Sequence, residues 1–195
     1  MKKIAIPVIS VILFLTLFRK MKVSNLTALV VGDSHSAGYG WGWQDVLAKE
    51  YNFKVINISK SGASLPQMFN AMKNFYVKNS VPLVFIYGGA NDIFNGKSVD
   101  ETFSEMQEMV NYAKSKGSKV VVISGFRSSK VSVGKNKSFI KNYDLYKEKL
   151  PTLSNAIVVP IWEEADKNDS PDGYHINALG QKKFAQYIGS KILSK

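Results

Sequence analysis

The sequence contains no cysteine and two histidines in 195 residues. Without cysteine there can be no disulfide staple, no thiolate metal site and no cysteine nucleophile. Two histidines leave too few imidazoles for a histidine-based metal centre. Low-complexity tracts, internal repeats and a linker to a second domain are also missing, so the length implies a single domain with room for one hydrophobic core. Hydrophobic residues make up 45% and charged residues 21%, which excludes a disordered chain.

Acidic residues are absent from the first 22 positions, where Lys2, Lys3, Arg19, Lys20 and Lys22 stand. The formal charge is +11, and the remainder, with 21 basic and 15 acidic side chains, carries +6 of it. Such a surface favours anionic partners, yet no nucleic-acid motif accompanies it, so nucleic acid is not expected. The loop of residues 125–137, "GFRSSKVSVGKNK", is the longest polar connection and reads as a mobile one.

One long apolar run is present. "IAIPVISVILFLTLF", residues 4–18, is flanked by basic residues and has the length of a signal-peptide core, short of the roughly 20 residues that span a bilayer. No small-x-small cleavage site follows it. The expectation is an uncleaved anchor in residues 1–22, membrane association through residues 4–18, a cell-envelope location, either anchored or exported, and one folded domain over residues 23–195. The basic residues on both sides leave its orientation open.

Five apolar, β-branched runs follow, at 26–31, 54–59, 82–88, 119–124 and 156–160. Between and after them lie helical patterns near 43–51, 65–78, 99–116, 138–149 and 178–193, the last with an apolar stripe of Leu179, Phe184, Ile188 and Ile192 behind an N-cap at Asn177. Strands that alternate with helices imply a parallel sheet covered on both faces: a three-layer α/β/α domain of about five strands, flavodoxin-like in order. Ligands of such sheets bind beyond the carboxyl ends of the strands.

Chemistry-bearing residues collect at those ends. The first strand closes in "VVGDSHSAGYG", which sets Ser34 at the sheet edge, with Gly32 and Gly38 allowing a tight turn. A serine hydroxyl needs a base. His35, its chain neighbour, is poorly placed to align with it, which leaves His175 of "SPDGYHIN", with Asp172 three residues before to orient its ring. Gly62 in "ISKSGAS" and Asn91 in "IYGGANDIF", with Gly89 beside it, could supply donors to an oxyanion. Alternatively, Gly62 and Gly89 are turn glycines and Asn91 a loop cap. Tyr39, Trp41 and Trp43, just after the nucleophile, read as core or as the lining of an acyl or sugar site.

"GDSHSAGYG", "SKSGAS", "GGAND" and "DGYHIN" resemble, in order, the four blocks of the SGNH hydrolases, also called GDSL esterases/lipases, over residues 26–193. The likeness is strongest to small bacterial esterases, thioesterases and lysophospholipases. It implies Ser34 as nucleophile, His175 as base and then acid, and Asp172 as its orienting partner. It also implies an oxyanion hole of the Ser34 and Gly62 N–H groups with the Asn91 amide, supported by Asp33 and Gly89. No metal or other cofactor is implied. The expected substrate is a lipid-type or short acyl ester or thioester. The alternatives are removal or transfer of O-acyl groups on an envelope polysaccharide, and a non-catalytic domain that binds glycan or membrane.

Overall fold

The computed structural model describes residues 21–38, 42–132 and 136–194. The apolar run at 4–18, Tyr39 and Trp41 lie outside the described residues. Among the described residues no helix is long and apolar enough to cross a membrane.

Five parallel strands form the central sheet: β2 (Thr27–Gly32), β3 (Lys54–Asn57), β4 (Leu83–Tyr87), β5 (Lys119–Ile123) and β6 (Ile157–Val159), in the order β3-β2-β4-β5-β6. Counted from β2, this is the flavodoxin-like order 2-1-3-4-5. Alternate side chains leave opposite faces of a strand. Ala28, Val30, Phe85, Tyr87, Val121 and Ile123 therefore pack under α1 (Trp43–Tyr51) and α7 (Ala178–Ile192). Leu29, Val31, Val84, Ile86, Val120 and Val122 pack under α2 (Leu65–Lys78), α4 (Val99–Ser115) and α6 (Lys137–Lys149). Both faces of β2, β4 and β5 are covered, which is why those three read as nearly unbroken apolar runs, whereas the edge strands β3 and β6 leave Lys54, Ile56 and Ile157 exposed.

Smaller elements complete the domain. Strand β1 (Met21–Lys22) pairs in parallel with β7 (Leu193–Ser194), so Met21 and Lys22 are part of the folded unit. Helix α3 (Ala90–Phe94) follows β4, and α5 (Ser128–Val131) follows β5. A 3-10 turn, Leu150–Thr152, ends α6.

Two expectations are corrected. The polar connection after β5 is not a bare loop, because α5 is pinned to α6: Asp144 accepts the backbone N–H groups of Ser128 at 2.9 Å and Ser129 at 3.0 Å. In α7, Phe184, Ile188 and Ile192 are buried but Leu179 is 57% exposed, since it stands five residues before Phe184 and so turns away from the face that Gly180, Gln181 and Phe184 bury. Asn177 caps that helix, its side-chain oxygen accepting the Gly180 N–H at 2.9 Å.

Candidate active site

Strand β2 ends at Gly32 and delivers the next residues to the carboxyl edge of the sheet. Close packing there requires glycine: a Cβ on Gly32 would lie 2.7 Å from Ser36 and 2.9 Å from the Tyr87 carbonyl. The turn is held by Asp33, whose buried carboxylate accepts the His35 N–H at 2.9 Å while the Ser36 N–H donates to the Asp33 carbonyl at 3.1 Å. Ser34 stands at its apex.

The turn before α7 supplies the partner. Asp172 Oδ1 accepts the N–H groups of Tyr174 at 2.8 Å and His175 at 2.7 Å, while Oδ2 lies 2.9 Å from His175 Nδ1. The other ring nitrogen, Nε2, lies 3.0 Å from Ser34 Oγ, across 141 residues of sequence. Burial would raise the Asp172 pKa, but the two backbone N–H groups and the His175 ring outweigh it and hold the carboxyl down to about 2. Asp172 is therefore ionised, which puts the imidazole proton on Nδ1 and leaves Nε2 free to accept from the serine.

His35 does not compete for the serine. Its ring is buried, stacked on Tyr87 with centroids 5.0 Å apart and edge-on to Phe126 at 5.7 Å. Burial, then the nearby His175 and Lys147, lowers its pKa to about 3, so it is neutral. It still belongs to the site, 5.5 Å from the His175 ring and in the cavity wall. Chain adjacency to Ser34 had hidden that role.

The other two sequence blocks meet each other, and Asn91 shares the cavity wall with Ser34. Asn91, at the start of α3, donates from Nδ2 to the Ala63 carbonyl at 3.0 Å, which ties it to the Gly62 turn. Gly62 has φ +74° and Gly89 φ +102°, backbone conformations that other residues seldom adopt. A Cβ on Gly89 would also fall 2.6 Å from the Tyr146 ring. Asp92, which the sequence reading passed over, strengthens the junction, accepting the Leu65 N–H at 2.9 Å and the Lys97 ammonium at 3.0 Å. Its position next to Asn91 was the available signal.

A cavity of about 300 Å³ opens at Ser34, His175 and Asn91 and runs between Phe94, Phe126, Phe139, Tyr143 and Tyr174, with Ser128 and Ser132 among its walls. Ser132 Oγ donates to the Gly173 carbonyl, which joins the segment after β5 to the Asp172–His175 turn. Phe94 and Tyr174 stand in or beside the sequence blocks, but Phe126, Ser128, Ser132, Phe139 and Tyr143 were not legible, because α6 and the segment after β5 carry no motif. Trp43 is buried in the core, its Nε1–H donating to Ser36 Oγ at 3.2 Å, so it supports the nucleophile turn without lining the cavity. Among the described residues no group of three or more His, Asp or Glu could hold a metal ion.

The family model described as GDSL-like Lipase/Acylhydrolase matches residues 30–183. The esterase TesA of Pseudomonas aeruginosa is 30% identical over 106 residues, 50% of this chain and 53% of that protein. The match thus spans about half the length of that relative. A crystal structure of TesA superposes with a TM-score of 0.68 at 24% identity, covering 85% of this chain and 97% of that one. Axe2, an acetylxylan esterase from Geobacillus stearothermophilus, superposes with a TM-score of 0.71 at 15% identity, covering 90% and 98%. At those identities the likeness speaks for the fold.

Proposed function

Since the chain belongs to the GDSL-like lipase/acylhydrolase family, we propose that it hydrolyses carboxylic esters through Ser34, His175 and Asp172 and a covalent acyl-enzyme. The observation that carries this reading is the continuous line from Asp172 Oδ2 through His175 to Ser34 Oγ, at 2.9 Å and 3.0 Å. Ser34 Oγ attacks the ester carbonyl carbon and its proton passes to His175 Nε2. The negative charge that grows on the carbonyl oxygen is met by the N–H groups of Ser34 and Gly62 and by the Asn91 amide. The tetrahedral intermediate collapses to the acyl-serine, and His175 gives its proton to the departing alkoxide. Water, deprotonated by the same nitrogen, then releases the carboxylic acid and restores the serine. Asp172 stays ionised throughout and holds the ring.

The aromatic cavity beyond Ser34 supports an acyl group with a hydrocarbon tail, in an ester or thioester of lipid type. A second reading has its own support. The Asp172 and His175 side chains are 55% and 53% exposed, so the side where the alcohol departs is open enough for a bulky glycan. Removal of O-acetyl groups from a polysaccharide, or acyl transfer to a sugar hydroxyl, uses the same residues.

The test is hydrolysis of p-nitrophenyl acetate, butyrate and octanoate by the full chain and by Ser34→Ala. Wild type is expected to turn over and the variant to fall by about a thousandfold or more, while its stability stays within about 0.5 kcal/mol. Rates that rise with chain length favour the lipid-type substrate, and acetate alone favours the polysaccharide. An undiminished Ser34→Ala rate would refute the nucleophile.

A further inference from the structure

One charged side chain behind the cavity wall has no part in that chemistry. Lys147, on α6, has a side chain only 1% exposed. Its ammonium makes three polar contacts: with the Phe126 carbonyl at 2.5 Å, Ser128 Oγ at 2.7 Å and Asp144 Oδ1 at 2.9 Å. It also lies 4.1 Å from the centre of the Tyr143 ring. Asp144, three residues earlier, takes the N–H groups of Ser128 and Ser129 on its two carboxylate oxygens. A single turn of α6 thus grips the segment after β5 through its backbone as well as its side chains.

What is gripped forms the cavity. Phe126 and Ser128 come from the segment after β5, and Phe139 and Tyr143 come from α6. These two walls belong to different elements, and the Lys147 ammonium sits at their junction. Burying an ammonium is costly even when it is paired, and a leucine or methionine would fill such a place without that cost. Burial does push the lysine down to about 8, with Asp144 opposing the shift. An apolar side chain, however, could not bind a carbonyl, a hydroxyl and a carboxylate in fixed directions. Hydrogen-bond direction is what a wall of set width requires.

We propose that Lys147 is a positioning residue that fixes the spacing of the two cavity walls and thereby sets the acyl-chain preference of the site. The proposal rests on the reading of the cavity as an acyl site. An octanoyl group carries six more carbons beyond the ester carbonyl than an acetyl group, so it depends more on the cavity that Phe126, Phe139 and Tyr143 line.

The test compares wild type, Lys147→Met and Asp144→Asn as full chains, by kcat/KM for p-nitrophenyl octanoate relative to acetate. Lys147→Met is expected to lower that ratio by about tenfold or more, the scale on which a hydrophobic pocket discriminates. The loss should lie mainly in the octanoate KM. Asp144→Asn should move the ratio the same way by less. In parallel, methyl octanoate is titrated calorimetrically into Ser34→Ala with and without Lys147→Met, and weaker binding is expected in the double variant.

If wild type cleaves no ester while Lys147→Met still weakens methyl octanoate binding, hydrolysis falls and the Lys147 assignment stands. An unchanged ratio with unchanged binding in a folded Lys147→Met chain would overturn the assignment, as would absence of binding to Ser34→Ala. Should Lys147→Met lose its near-ultraviolet circular dichroism, Asp144→Asn decides, and an unmoved ratio there overturns the proposal.

Discussion

Asp33 lies fully buried beneath the nucleophile turn, one carboxylate oxygen on the His35 N–H and the other without a partner among the described residues. Burial is the largest influence on it, and against the opposing His35 N–H and His175 it pushes the carboxyl from 3.8 up to about 7. Between those values the folded protein keeps a proton that the unfolded chain has released. Stability therefore falls as pH rises through that window, by about 4 kcal/mol at most at roughly 1.4 kcal/mol per unit. Asp33→Asn keeps the acceptor for His35 and removes the titration. It should flatten the decline and be more stable than wild type at pH 7.5 by about 1–3 kcal/mol. Urea unfolding at pH 4.5 and 7.5 checks this, and parallel pH dependences in the two proteins would refute it. At this scale the sequence spoke clearly wherever a residue sat in a short motif at a strand end, as Ser34 and Asn91 do, or just before a helix, as His175 does. It was silent on Lys147, because a lysine on an amphipathic helix reads as solvated and only the packed fold reveals its burial.

Helix α3 is a single short turn, yet it carries Asn91 and depends on the backbone of one residue. Gly89 precedes it at φ +102°, against the buried Tyr146 ring. Gly89→Ala is expected to cost about 1–3 kcal/mol in backbone strain, with the ring contact adding to it. It should also lower kcat by about 10- to 100-fold through a displaced Asn91 donor. Thermal unfolding and ester kinetics on the same preparation test both, and a variant with wild-type melting and turnover would remove Gly89 from the site. The longer elements were readable because period and caps agree. Leu65–Lys78 and Trp43–Tyr51 form helices over the ranges that their apolar spacing predicts, and the five strands of the central sheet fall within two residues of their apolar runs. Helix α5 was not readable. Its four residues hold no period, and its anchors, Asp144 and Lys147, lie 15 to 19 residues beyond the groups they hold. Strands β1 and β7, with two residues each, carry no alternation to read.

Across the whole molecule, the sheet separates two edges. Ser34, Asn91 and the cavity occupy the carboxyl edge, where β2 and β4 end. The β1–β7 pair lies at the other, since Met21 and Lys22 border the same hollow as Lys119 and Ile157, the first residues of β5 and β6. Met21 stands opposite Leu193, and Lys22 opposite Ser194. The two ends of the described chain are therefore neighbours, held far from the reacting groups. Peptide linkage from residue 194 back to residue 21 through about six flexible residues spans the gap. New ends can then be opened at the exposed Asn79–Ser80 loop, which contributes nothing to the cavity. Such a circular permutant should fold and keep p-nitrophenyl ester turnover within about threefold of wild type, as is usual for exposed loop sites. A permutant that folds but is inactive would mean that the site needs its present chain order. The pairing of two-residue strands predicts the reverse: the order in which the segments are joined is free to change, provided that their places in space are kept.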